Sequence, residues 1–191
     1  ETALRWYEAL LEDDDILQAL TVSLQAATLA SIGATVIGVS GALALHQGKK
    51  SRSSWIAGLA TLPIALPELV LGLASVIWFG VLGLSLSLVT VVIGHITFTV
   101  AYVVTIVNAR LADQDASLTD AASDLGATPM QVLRRVTLPL LAPAVIAGAM
   151  MAFTLSFDDF MVSFFTTGVD TDTLPMRIYS MIRFGINREI Y

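Results

Sequence analysis

Four apolar runs, each long enough to cross a lipid bilayer, most constrain what this chain can fold into. They lie at about residues 18–45, 55–80, 86–108 and 138–165. A hydrocarbon layer about 30 Å thick takes roughly 20 helical residues to span, and in lipid every backbone donor and acceptor must be satisfied within the segment. The runs therefore predict an all-α fold, a polytopic bundle of four transmembrane helices in a lipid membrane.

Composition agrees with a membrane protein and argues against several other classes. Hydrophobic residues make up 55% of the 191 residues and charged residues only 14%, against about 25% charged in ordinary soluble domains. The chain has no cysteine, which rules out disulfides and thiolate chemistry. Its net charge of −6 comes largely from acids beside the apolar runs and does not favour nucleic acid as a partner. We expect no catalytic residue, no metal site and no cofactor.

Basic residues predict the orientation, because positively charged loops tend to stay in the cytoplasm. Six of the ten lie in the loops after the first and third runs, at Lys49, Lys50, Arg52, Arg110, Arg134 and Arg135, and four lie in the terminal segments, at Arg5, Arg177, Arg183 and Arg188. The turn between the second and third runs carries no charge. We therefore predict that residues 46–54 and 109–137 are cytoplasmic and that residues 1–17 and 166–191 lie outside.

The second of these basic loops carries signals for two short helices of its own. Ser117 and Thr128 each stand three residues before a side chain that completes a capping box. Gly126 lies between them, and glycine suits the left-handed conformation that ends a helix. The pattern predicts a bent helical elbow, residues 113–139, within a single domain.

Both arms of the elbow have an apolar face at helical spacing. On the first arm this face consists of Leu118, Ala121, Ala122 and Leu125, and on the second of Val132, Leu133 and Val136. Such a face requires a partner.

The elbow resembles the EAA loop of ATP-binding-cassette import permeases. The resemblance is carried by Asp120, Ala121, Ala122, Gly126, Val136, Leu138 and Pro139, with Asp120 where glutamate is usual and Val136 where isoleucine is usual. In that family the loop docks in a groove of the cytoplasmic ATPase. The resemblance therefore implies that these residues, together with Leu125, couple the chain to a dimer of ATP-binding subunits.

Three further segments resemble the polyamine branch of these permeases, the spermidine and putrescine import subunits. They are residues 95–98, 156–160 and 174–181. Members of that branch have six spans, so the resemblance implies a permease domain, residues 1–191, that lacks the first and last spans. It also implies a bacterial inner membrane location, a second permease subunit and a periplasmic or extracellular solute-binding protein.

Acidic residues within the spans are the candidates for a solute path. Glu68 lies about halfway along the second run, and Asp158 and Asp159 lie toward the outer end of the fourth. An acid near the bilayer centre costs roughly 2.5–3.5 kcal/mol and generally faces water or a partner. The three carboxylates could line the path of a polycation, or they could hold helices together. We interpret His95 as a hydrogen-bonded packing residue rather than a proton carrier.

These features favour the membrane-spanning permease subunit of an ATP-driven polyamine importer. Three alternatives remain open at this point. One is an importer permease for another solute, such as ferric iron or an organic cation. Another is a proton-coupled secondary transporter that uses Glu68, His95 and Asp158, and the last is a membrane scaffold that transports nothing.

Overall fold

The computed structural model describes residues 13–47 and 50–184, and every regular element in this part of the chain is a helix. The helices are α1 (Asp14–Gln47), α2 (Lys50–Ala65), α3 (Glu68–Val81), α4 (Leu88–Ala112), α5 (Ala116–Asp124), α6 (Pro129–Val132), α7 (Leu138–Asp158), α8 (Met161–Thr166) and α9 (Leu174–Phe184). The predicted all-α fold is confirmed. Residues 1–12 and 185–191 of the predicted outer segments, and residues 48–49 of the first predicted inner loop, lie outside the described residues.

Three stretches of helix are long and apolar enough to cross a membrane: Asp14–His46, Leu88–Ala112 and Pro129–Asp158. A fourth span is present if the broken pair Gly58–Ala65 and Glu68–Val81 counts as one. Three to four spans agree with the predicted polytopic bundle.

The second predicted span, residues 55–80, is not one continuous helix. Helix α2 ends at Ala65 and α3 begins at Glu68, with Pro67 between them in an extended conformation (φ −59°, ψ 134°). Proline has no N–H to donate to the preceding turn and disfavours helical geometry in the residue before it. The break places Glu68 in the first turn of α3 rather than in the middle of a continuous helix.

The fourth predicted span, residues 138–165, differs from the structure at both ends. Its outer end is Asp158, because the helix breaks before the short helix α8. Its inner end extends back through a π-helical turn, Leu133–Thr137, to α6. The Leu138 N–H donates a hydrogen bond to the Leu133 carbonyl, five residues back, which makes the turn wider than in an α-helix. The next residue, Pro139, has no backbone N–H and cannot donate a hydrogen bond.

The described residues divide into two compact units. The elbow unit comprises residues 31–65 and 98–152, and the His95 unit comprises residues 13–30, 66–97 and 153–184. That all 191 residues form one domain stays a prediction.

Small residues allow the helices of the elbow unit to pack closely around its core. A Cβ added at Gly38 of α1 would lie 2.7 Å from Val103 Cγ1 of α4, and one added at Gly148 of α7 would lie 3.4 Å from the same atom. The Ser31 hydroxyl donates to the Ala149 carbonyl at 2.7 Å. Without a side chain in the way, helix backbones approach closely, which is how helices associate in lipid. The buried core consists of Ala34, Ala42, Val103, Val107, Leu111, Leu141 and Ala152.

In the His95 unit, the short helix α8 packs between α3 and α4. A Cβ added at Gly72 of α3 would lie 2.7 Å from Phe165 Cδ2 and 3.1 Å from the Met161 carbonyl oxygen. A Cβ added at Gly94 of α4 would lie 3.0 Å from Val162 Cγ1. Glycine at these two positions therefore lets α8 contact both neighbours directly.

Helix α9 is joined to the beginning of α1. The Leu174 N–H donates to the Ser23 hydroxyl oxygen at 2.8 Å, and Arg177 pairs with Asp15. The side chains of Ile178 and Ile182 on this helix are exposed.

Candidate coupling elbow and translocation site

The first arm of the elbow is helix α5, and its N-cap is Asp115. The Asp115 carboxylate accepts a hydrogen bond from the Ser117 N–H at 2.9 Å. The pKa of the Asp115 carboxyl lies below its usual value, mainly because of this bond from the Ser117 N–H and to a smaller extent because of a bond from the Ser117 hydroxyl. The predicted cap at Ser117 is therefore wrong by two residues, because an acceptor stands earlier in the chain.

Gly126 ends the first arm in the predicted left-handed conformation, with φ +83°. Its N–H donates to the Ser123 carbonyl at 2.9 Å, and the Ala127 N–H donates to the Ala122 carbonyl at 3.1 Å. This pair of bonds is the Schellman motif, which satisfies the last carbonyls of a helix. The turn between the arms is therefore closed by backbone bonds alone.

The second arm begins with the predicted capping box. The Thr128 hydroxyl oxygen accepts the Gln131 N–H at 3.4 Å, and the Gln131 side-chain oxygen accepts the Thr128 N–H at 2.8 Å. Pro129 occupies the first turn, where its missing N–H costs nothing. From here the helix continues to Asp158, so the second arm of the elbow and the last span are one continuous rod.

Apolar side chains on the outer surface of the elbow face solvent. Leu125 is 90% exposed, Met130 57% and Leu118 48%. Leu125 stands beside the Gly126 turn, at the tip of the elbow. A leucine side chain loses roughly 1.5–3 kcal/mol of favourable transfer free energy when it is left in water, so this tip is suited to bind another surface.

The remaining predicted coupling residues fall into two sets by burial. Asp120, Ala121, Leu138 and Pro139 are exposed, whereas Ala122 and Val136 are half-buried, as are Val132 and Leu133. The half-buried side chains are partly covered by the rest of the protein, and the exposed side chains are open to solvent. Their role in coupling stays a prediction.

The three candidate path carboxylates occupy different environments, all within the His95 unit. Glu68 is exposed in the first turn of α3, one turn before Gly72. Asp158 is exposed at the end of α7, whereas Asp159 is buried, with 6% of its surface exposed. The burial of Asp159 matters, because a buried carboxylate needs hydrogen-bond or ion-pair partners.

Asp159 has its partners at the beginning of α8. Its Oδ1 accepts the Val162 N–H at 3.3 Å, and its Oδ2 accepts the Ser163 N–H at 2.7 Å. Oδ2 also lies 3.2 Å from His95 Nε2. The carboxylate thus caps α8 and joins it to α4.

His95 is fully buried on α4 and contacts both sides of the break between α7 and α8. Its Nδ1 lies 2.6 Å from the Ser156 hydroxyl oxygen on α7, and its Nε2 lies 3.0 Å from the Ser163 hydroxyl oxygen on α8. These residues, His95, Ser156, Asp159 and Ser163, are named the His95 cluster below. The sequence indicated a packing role for His95 but no local pattern revealed its partners, which lie more than 60 residues away.

Comparisons with known proteins place the chain in a family. The family described as "Binding-protein-dependent transport system inner membrane component" matches residues 34–186. The putrescine transport system permease protein PotI of Escherichia coli K12 is 37% identical over 97% of this chain and 69% of its own length. The spermidine/putrescine transport system permease protein PotC of the same strain is 37% identical over 97% of this chain and 70% of its own.

A more distant relative carries a different substrate name. The putative 2-aminoethylphosphonate transport system permease protein PhnV of Salmonella paratyphi A is 33% identical over 87% of this chain and 64% of its own length. All three relatives are transport permeases, which agrees with the predicted role and with a multi-pass location in the inner membrane. The chain belongs to the family of inner membrane components of binding-protein-dependent transport systems.

Proposed function

We propose that this permease subunit imports polyamines such as putrescine or spermidine, with ATP hydrolysed by a separate pair of cytoplasmic subunits. The polyamine assignment is supported by the two relatives at 37% identity, whose names specify putrescine and spermidine. A second permease subunit and an outer solute-binding protein complete the transporter, as in other binding-protein-dependent systems.

The proposal that the elbow couples this subunit to an ATPase is supported by two features of the elbow. Its tip presents Leu125, the most exposed large apolar side chain in the described part of the chain. Its second arm forms one 30-residue helical stretch with α7, Pro129–Asp158, through the π-helical turn. A push or pull on the tip by an ATPase groove would therefore move a transmembrane helix directly. The elbow is thus a lever that converts ATP-driven movement of the ATPase into opening and closing of the spans.

We assign the solute path to the exposed carboxylates, Glu68 and Asp158, because a cationic amine entering the membrane needs anionic groups in place of the water it loses. Asp159 already uses both oxygens on α8 and His95. We expect Glu68→Gln to slow ATP-driven putrescine uptake in proteoliposomes while subunit assembly is retained. Unchanged uptake would leave Glu68 a purely structural residue.

The competing functions differ in measurable ways. A proton-coupled transporter would accumulate solute without ATP, and a scaffold would accumulate none. An importer for ferric iron or another organic cation would remain ATP-dependent but would not be stimulated by putrescine. One relative, at 33% identity, carries the name of a different solute, 2-aminoethylphosphonate. Identifying the ligand of the solute-binding protein would therefore distinguish the candidate substrates.

The coupling proposal is tested by placing a charge at the tip of the elbow. Leu125→Glu should abolish co-purification of the ATP-binding subunits in mild detergent and, with it, ATP-driven uptake, because a carboxylate would be buried without a partner in the docking groove. Stability of the chain itself should change little, since Leu125 is 90% exposed. The matched control is Val169→Glu, at a position that is 89% exposed but far along the chain from the elbow. Retention of the ATPase by Leu125→Glu would refute the proposal.

A further inference from the structure

Two helices of the His95 unit each begin directly after a break in the chain's helical structure. Helix α3 begins directly after the break at Pro67, and α8 begins directly after the break at Asp159 and Phe160. The two helices that follow these breaks pack on each other through Gly72. At membrane depth, interrupted helices are tolerated where they are buried in protein or line a water-filled cavity, and discontinuous helices mark the binding sites of many transporters. Two helices that each follow a break and pack on each other therefore mark the neighbourhood of a solute path.

Helix α8 depends on side chains to hold its position. It has six residues, fewer than an isolated helix needs for stability in water. Its first N–H groups are satisfied by Asp159, and the Thr90 hydroxyl of α4 donates to its last carbonyl, that of Thr166, at 2.8 Å. Both ends of α8 are thus tied by polar side chains, one of them on another helix.

The His95 cluster is the connection between α8 and its neighbours. One imidazole contacts Ser156 on the preceding helix and Ser163 and Asp159 at the beginning of α8. The hydrogen-bonding groups of this cluster have partners, and together they hold α8 in a single position. Each of these bonds involves a side chain, so it can break and re-form without unfolding a long helix.

We infer that α8 is a gate at the outer half of the solute path and that the His95 cluster is the latch that holds it closed. The latch consists of positioning residues: His95 and Asp159 act on the solute only through the place they give to α8. In the closed position α8 lies against α3, one turn from Glu68. During transport the latch releases α8 from α4, and the solute passes. This inference rests on the proposed transport function.

A reversible covalent lock tests whether α8 must move. The chain has no cysteine of its own, and a Cβ at Gly94 would lie 3.0 Å from Val162 Cγ1, which brings the two Cβ atoms within the roughly 3.5–4.5 Å range that a disulfide requires. In proteoliposomes that contain the complete transporter, oxidation of the Gly94→Cys, Val162→Cys double variant should lower ATP-driven putrescine uptake at least about tenfold. Dithiothreitol should restore it, and each single variant should be unaffected by oxidant.

Loss of the latch should have the opposite effect. Asp159→Ala should let putrescine leak from loaded vesicles without ATP, while the subunits still co-purify. Asp159→Asn keeps an acceptor oxygen for one amide of α8 and should leak less. If Asp159→Ala fails to assemble, the disulfide lock alone decides the inference.

Two results would overturn the gate: full uptake by the oxidised, cross-linked variant, or tight vesicles with an assembled Asp159→Ala transporter. Failure of the underlying transport function is recognised separately, because the unmodified transporter would then show no putrescine uptake at all.

Discussion

The elbow and the His95 cluster flank the same helix, α7, and they are built by opposite means. The bonds that shape the elbow join residues two to five positions apart, as at Asp115, Gly126 and Thr128. In the His95 cluster the imidazole is joined to serines 61 and 68 positions away along the chain. The elbow leaves leucine in solvent, whereas the cluster buries a histidine and a carboxylate. The part that we propose binds a separate subunit is shaped by local bonds, whereas the part that holds α8 in place is fixed by neighbouring helices.

This difference predicts that the two regions fail differently. Damage to the elbow should disconnect the ATPase and leave the membrane helices folded. Damage around α8 should leave the ATPase bound but disturb the packing and closure of the spans. Two glycine substitutions test the comparison, one in each region.

The larger effect is expected at Gly72. Gly72→Ala would place a Cβ 2.7 Å from Phe165 Cδ2, which can rotate away, and 3.1 Å from the Met161 carbonyl oxygen, which cannot. Overpacking of this kind costs about 1–3 kcal/mol, so the melting temperature of the purified transporter should fall and uptake with it. Gly58→Ala is the matched control, since no atom lies within 4 Å of its added Cβ. A melting temperature equal to that of the unmodified protein would show that α8 is not closely packed on α3.

A smaller and more local effect is expected at Gly126. Its φ of +83° is strained for any residue with a Cβ, by about 1–2 kcal/mol. Gly126→Ala should reduce ATP-driven uptake several-fold without lowering the melting temperature of the spans, because only the turn between the two arms is affected. Gly126→Asn should retain more activity, since asparagine tolerates the left-handed conformation. Equal activity of the alanine variant and the unmodified protein would remove the turn from the coupling mechanism.

Local patterns explain which parts of the fold could be predicted from the sequence. The helical character, the elbow, the Gly126 turn and the Thr128 capping box are set within a few residues, and all were predictable. The capping-box pattern of Ser117 and Asp120 predicts a cap at Ser117, but Asp115, two residues earlier, is also a good acceptor and caps the helix instead. Pro67 predicts a break in the helical hydrogen bonds beside Glu68, but the apolar run on both sides gives no sign that one helix ends there and another begins.

Long-range contacts explain what could not be predicted. Hydrophobicity continues through Phe160 to Phe165, so nothing in the run indicated that the helix ends at Asp158. Asp159 and His95 were both recognised as unusual polar residues in apolar surroundings, yet their pairing depends on how α4, α7 and α8 fold together. Assignment of Asp159 to the latch rather than to the solute path became possible only once its hydrogen-bond partners were seen.

The docking of the elbow on an ATPase is tested most directly by photo-crosslinking from its tip. A benzophenone amino acid at position 125, in membranes that contain the complete transporter, should crosslink to the ATP-binding subunit, and the same group at position 169 should not. Crosslinks from position 125 only to lipid, or to the outer solute-binding protein, would contradict the account.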